Sequence, residues 1–185
     1  VMQWEPPAGV NEDVLVRAAK TRLAVFDVDG VLTDGSLRYG SDGEQEKVFN
    51  TLDGHGLKML AESGVTLAII SGRSSEALAR RAKDLGIMHL HMGIADKRKV
   101  FDGLVADLSI SPEACAGLGD DVVDLPFLLR CGFAAGVPTC PTYMRGYLHY
   151  VTTAEGGRGA VREFCEVIMH AQGALMPTLQ KYAHP

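Results

Sequence analysis

No apolar run in this sequence approaches the roughly 20 residues that carry a helix across a bilayer, so no membrane-spanning segment is expected. Basic residues are also few: 18 Lys and Arg stand against 23 Asp and Glu, for a net charge of -5. Proteins that hold nucleic acid through its phosphates present a basic face, and this composition argues against one. The four cysteines, Cys115, Cys131, Cys140 and Cys165, are scattered and form no C-x-x-C. In a chain of this length, buried idle thiols are expected over two disulfides. The opening segment Val1-Met2-Gln3-Trp4-Glu5-Pro6-Pro7 lacks the form of a secretory signal, and cytoplasm is the expected address. No internal repeat, low-complexity tract or second compositional block interrupts the chain. Residues 1–185 therefore read as one domain, long enough to bury a sizeable core.

What is present centres on Leu23-Ala24-Val25-Phe26-Asp27-Val28-Asp29-Gly30-Val31-Leu32-Thr33-Asp34-Gly35. A short apolar strand delivers two carboxylates, two residues apart, at its carboxyl end, where α/β sheets place their ligands. Further apolar strands are expected at Val65–Ile70, His89–Met92, Cys115–Leu118, Phe133–Val137 and Tyr150–Thr152. Between them lie amphipathic helices: one opening at Asn11, then Gly54–Ser63, Ser75–Leu85, one opening at Lys97, about 124–130 and about 159–172. This alternation implies a Rossmann-like three-layer α/β/α fold with a mostly parallel sheet. Ser36–Tyr39 and Glu44–Asn50 flank the turn-rich Gly40-Ser41-Asp42-Gly43, predicting a projecting β-hairpin over about 36–50. Its Leu37, Tyr39, Val48 and Phe49 are too apolar to stand alone in water, so the hairpin folds back on the body or another subunit covers it. The tail, about 174–185, carries Met176, Leu179 and Tyr182 without an assigned role.

Four features stand at predicted strand ends: Asp27-Val28-Asp29-Gly30, Ser71-Gly72-Arg73, Lys97, and Gly119-Asp120-Asp121 with Asp124 beyond. Together they suit phosphoryl transfer. Asp27 is the candidate nucleophile, able to form an aspartyl-phosphate. Asp29 is the candidate acid and base, protonating the leaving oxygen and then deprotonating water. Asp27, the backbone carbonyl of Asp29, and Asp120 offer hard oxygens for Mg²⁺. Ser71, Gly72 and Lys97 are placed to hold phosphate oxygens, and the Arg73 guanidinium to meet a carboxylate or hydroxyl-rich substrate. Asp121 and Asp124 are expected behind the ligands, although Asp124 alone would equally suit the first turn of a helix.

These residues resemble the four motifs of the haloacid dehalogenase (HAD) superfamily, in order and at strand ends. The resemblance implies a nucleophile at Asp27, an acid/base at Asp29, Mg²⁺ held by Asp27 and Asp120, and phosphate contacts from Ser71 and Lys97. The second aspartate implies a phosphatase. Asp27–Gly35, Phe49–Gly56, Ile69–Arg73 and Gly156–Glu163 narrow it. They resemble the phosphatases of 3-deoxy-D-manno-octulosonate 8-phosphate (KDO 8-phosphate), enzymes of lipopolysaccharide precursor synthesis. That family implies a homotetramer without a cap domain, whose hairpins associate centrally and whose C-terminal segments help close neighbouring sites. Independently, the intervals between the motifs have no room for a folded cap, so a lid is expected from a partner chain.

Other readings stand beside these. An EF-hand loop is excluded, because the twelfth position from Asp27 is Arg38. Gly156-Gly157-Arg158-Gly159 is not a P-loop, since no G-K-[ST] follows; Arg158 is a candidate substrate contact, as are Asp53 and His55. His89 and His91 share a strand face without a third ligand and read as structural. A phosphatase for a related nine-carbon sugar acid phosphate, and a non-catalytic oligomerisation module, remain the alternatives.

Overall fold

The computed structural model describes residues 2–184; Val1 and Pro185 lie outside the described residues. The apolar run at its centre becomes β1 (Leu23–Phe26), with all four side chains buried. They are buried on both faces because alternate strand residues feed two different cores. Ala24 and Phe26 join α1 (Glu12–Ala19), α2 (Thr51–Glu62), α3 (Glu76–Asp84) and α6 (Ala160–Ala171). Leu23 and Val25 join α4 (Lys97–Leu108) and the short α5 (Leu125–Leu128) on the other face. The expected three layers are therefore present.

Beside β1 the sheet contains β4 (Thr66–Ile70), β5 (His89–His91), β6 (Cys115–Gly119), β7 (Phe133–Gly136) and β8 (Tyr150–Val151), paired in parallel in the order β5-β4-β1-β6-β7-β8. From β1 the chain moves outward through β4 and β5, then returns to β6 on the opposite side of β1. Phe26 lies level with both Ile69 and Leu118. The residues that follow these three strands thus emerge together at the carboxyl edge, where the strand order reverses.

Several boundaries differ from the sequence reading for local reasons. Helix α2 starts at Thr51 instead of Gly54, because the Asn50 side chain accepts from the Leu52 and Asp53 amides. On its outer face Ala61 is exposed, not buried. The hairpin is shorter than expected, with β2 (Arg38–Gly40) against β3 (Gly43–Glu46). Phe49 tucks against the main core, whereas Tyr39 and Val48 stay 60% and 71% exposed, leaving one side of the hairpin uncovered in this chain. The unassigned tail forms α7 (Leu175–Ala183), anchored by the buried Leu175, with Tyr182 edge-on to His55 at 5.5 Å. All four cysteines are free and buried, as expected.

Candidate active site

Asp27 is the first residue after β1, and its side chain is almost wholly buried. A buried carboxylate needs a partner. Lys97, the first residue of α4, supplies it: Nζ donates to Asp27 Oδ1 at 2.6 Å and to Asp124 Oδ1 at 2.6 Å. Asp124 is fully buried, and its other oxygen accepts from the backbone amides of Asp120 (3.0 Å) and Asp121 (3.4 Å). It therefore clamps the loop after β6 and fixes the lysine at the same time. Asp124 thus ties Lys97 to the loop after β6, and it also stands at the start of α5, the place its helix-start reading gave it.

Carboxylate oxygens of Asp27, Asp120 and Asp124 lie within 4.8 Å of one another. Burial, and then the charges of Asp27, Asp124 and Asp121, push the Asp120 carboxyl up to about 8. Burial, together with Asp124, raises Asp27 to about 6 against the pull of Lys97. Burial pulls the Lys97 ammonium down, but Asp124 and Asp27 outweigh it and leave its pKa above the usual value. One buried cation does not balance three carboxylates. This surplus of hard, crowded oxygen donors fits a divalent ion such as Mg²⁺. Asp27, Asp120 and Asp124 form the cluster that could hold it; both Asp124 oxygens also accept hydrogen bonds, as does one oxygen of Asp27. A glycine is required here: Gly30 has φ of +88°, and a Cβ at that position would collide with the Asp120 carboxylate.

The carboxyl edge opens into a cleft of about 660 Å³. Asp27, Asp29, Gly72, Arg73, Lys97, Asp120 and Asp121 all line it, so most of the predicted site residues meet in one place. Ser71 is fully buried at the end of β4, and its hydroxyl accepts from the Arg73 amide at 3.2 Å behind the cleft wall. Two expected substrate contacts have other positions. Asp53 is only 1% exposed, and its carboxylate accepts from the Arg162 amide (2.9 Å) and the Gly159 amide (3.4 Å). It caps the N-terminus of α6 from a neighbouring helix, where the local residue Gly159 has no side chain to do so. Arg158 is exposed and reaches Asp34, with Nη2 3.9 Å from Oδ2, outside the cleft lining. The glycine pair before it serves the backbone, since a Cβ at Gly156 would strike the Gly30 carbonyl; the segment packs directly onto the turn after β1.

The sequence reading missed the hairpin's share in the site. Lys47 Nζ donates to Asp29 Oδ1 at 2.6 Å, and Arg73 Nη1 donates to the Tyr39 hydroxyl at 2.9 Å. Leu37 and Val123 add apolar wall. Nothing in the motif spacing marks Lys47, since its partnership depends on how the hairpin folds back.

The crowding of carboxylates has a measurable consequence. Asp27 and Asp120 sit above their ordinary 3.8, so without metal the folded protein holds protons that the unfolded chain releases. Stability present at acid pH is then lost as pH rises through those values. A divalent ion offsets the repulsion. Mg²⁺ should therefore raise the melting temperature over an EDTA control by more at about pH 8 than at about pH 5. An increment that shrinks with rising pH would contradict this charge balance.

A Rossmann-like sheet with this arrangement at its carboxyl edge places the protein among the hydrolases of the HAD superfamily, on the phosphatase side. No family model matches the chain. A curated relative from Yersinia pestis, the 3-deoxy-D-manno-octulosonate 8-phosphate phosphatase KdsC, is 43% identical over 90% of this chain and 89% of its own length. The crystal structure of a probable YrbI-family phosphatase from Pseudomonas syringae superposes with a TM-score of 0.92 at 50% identity, covering 95% of this chain and 99% of that one. The KDO 8-phosphate phosphatase of Moraxella catarrhalis, solved in complex with magnesium, phosphate and KDO, gives a TM-score of 0.91 at 41% identity, covering 94% and 99%. The chain belongs to the KDO 8-phosphate phosphatase family.

Proposed function

We propose that this protein hydrolyses KDO 8-phosphate to KDO and inorganic phosphate, in lipopolysaccharide precursor synthesis, through an aspartyl-phosphate on Asp27. The observation that carries the reading is the Lys97 bridge between Asp27 and Asp124 at the base of an open cleft that Asp29 and Asp120 also line. The Moraxella relative with magnesium, phosphate and KDO bound supports the substrate and the metal.

The steps follow from what each group can do. Lys97 fixes the Asp27 carboxylate and supports its ionised form. Asp27 attacks phosphorus, the ester P–O bond breaks, and the leaving oxygen takes a proton from the Asp29 carboxyl. Water then attacks phosphorus and gives its proton to the Asp29 carboxylate, releasing phosphate and restoring Asp27. Mg²⁺, held by Asp27, Asp120 and the Asp29 carbonyl, supplies charge neutralisation for the phosphoryl group. Ser71 and Gly72 are the proposed phosphate contacts, and Arg73 is proposed to receive the sugar acid's carboxylate.

The chain works as one hydrolase domain without a cap of its own, in a homotetramer whose subunits complete one another's sites, as the family resemblance implies. The exposed Leu37, Tyr39 and Val48 give the hairpin an apolar side for another subunit to cover. Among the described residues no helix is long and apolar enough to cross a membrane, and the cysteines are free, which supports a cytoplasmic enzyme. A phosphate-release assay across sugar phosphates tests the reading: KDO 8-phosphate should be turned over ahead of nine-carbon sugar acid phosphates. A preference for the latter would replace the substrate, and no turnover of any would remove the catalytic reading. The same preparation should sediment as a tetramer at micromolar concentration; a monomer would end the shared-site part.

A further inference from the structure

We infer that Lys47, on the segment leaving the hairpin, is a positioning residue for the proton-transfer group Asp29, so that docking of the hairpin and competence for leaving-group protonation are one event. This rests on the proposed phosphatase reaction. The Lys47 side chain is 2% exposed, an unusual state for an ammonium on a hairpin, and it is held between two carboxylates. Nζ lies 2.6 Å from Asp29 Oδ1 and 2.7 Å from Glu44 Oε1. A second bridge runs in parallel. Arg73 donates to Tyr39 at 2.9 Å, and its guanidinium lies 3.8 Å from Glu44 Oε2 and 3.9 Å from Asp29 Oδ2. Glu44 and Tyr39 both belong to the hairpin strands, so hairpin and body are joined through charges that converge on Asp29.

The geometry explains why a lysine should matter there. The Asp29 side chain is a fifth exposed and has no partner within its own strand–turn segment to set its rotation. Proton transfer in the transition state needs the oxygen within hydrogen-bond reach of the leaving group, and small misplacements are costly. Lys47 takes Oδ1 and so presents Oδ2 as the exchanging oxygen, on the side where Arg73 lines the cleft. Burying the ammonium ties its lost hydration to both carboxylates being in place, so the hairpin is held down only when Asp29 is oriented.

Substrates with different leaving groups separate positioning of a proton donor from general support of the site. p-Nitrophenyl phosphate leaves as a stable phenolate and needs no proton, whereas an alkyl phosphate such as KDO 8-phosphate does. In Lys47→Ala, the burst of nitrophenolate that reports phosphorylation of Asp27 should survive within a factor of about three, while kcat for KDO 8-phosphate falls by about a hundredfold with KM little changed. Lys47→Arg, which keeps the charge and the reach, should recover at least about tenfold of that loss. Steady-state release is expected to fall on both substrates, because Asp29 also serves the water-attack step they share. A nitrophenolate burst slowed as far as turnover of KDO 8-phosphate, a change in KM alone, or no change would each overturn the inference. Wild-type enzyme run in parallel guards the underlying reading: if it fails on KDO 8-phosphate, the proposed reaction is wrong, whatever Lys47 does.

Discussion

Replacing Asp27 by Asn should lower phosphate release by about 10⁴-fold or more while leaving the fold in place. The amide matches the carboxylate in shape but is neutral and cannot form an acyl-phosphate. Stability should barely suffer. Burial already holds the Asp27 carboxyl up at about 6, so its ionised form is a strained occupant of the site. The amide removes that strain, and Lys97 keeps Asp124 as its counter-ion. A melting temperature within about 5 °C of wild type is expected, a common trade between activity and stability at functional sites. Steady-state phosphate release and circular-dichroism melts on variant free of wild-type enzyme make the check. Normal turnover would show that the nucleophile lies elsewhere.

Lys97→Met should damage both activity and stability. The methionine fills similar volume but leaves Asp27, Asp120 and Asp124 close together with no buried cation. Breaking a buried ion pair by removing one partner costs about 3–5 kcal/mol, which for a chain of this size is about 10 °C or more in melting temperature. The loss should depend on pH in a definite direction. With the cation gone, the folded-state pKa values of Asp27 and Asp120, already raised, rise further above their unfolded values, so stability falls as pH increases. The gap to wild type should be widest near neutral pH and should narrow toward about pH 4 as the carboxyls protonate. Turnover should fall by about two to three orders of magnitude, because the nucleophile loses its orienting contact. A thermal shift independent of pH would mean that the lysine contributes packing and not charge.

Different residues were legible to different degrees. The meeting of Asp27, Asp29, Lys97 and Asp120 in one cleft was readable because each sits at or just beyond a strand or helix end, and hydrophobic periodicity locates those ends. Asp124 was half readable: its place four residues beyond Asp120 suited a helix start, where the structure has it, whereas its contact with Lys97 arises only in the folded chain. Asp53 could not be read correctly from its own surroundings. It lies in the first turn of α2, yet its carboxylate caps α6, more than a hundred residues later. Helix–helix proximity sets that bond, and no local pattern encodes it. Arg158 was drawn toward the substrate by its glycine-rich neighbourhood, whereas those glycines allow the backbone to lie against Gly30.

Local residue patterns were enough to establish the parallel α/β sheet, the order in which the acidic and basic groups reach its carboxyl edge, and the phosphoryl-transfer chemistry they suit. They sufficed because strand and helix periods are short-range and the motifs lie at their ends. How the carboxylates around the proposed metal site are engaged could be seen only in the folded chain, where Asp124 meets Lys97 and two amides. The same holds for the hairpin that reaches back to hold Asp29 through Lys47. Long-range ion pairs form only where folding brings distant charges within a few ångströms and excludes water between them.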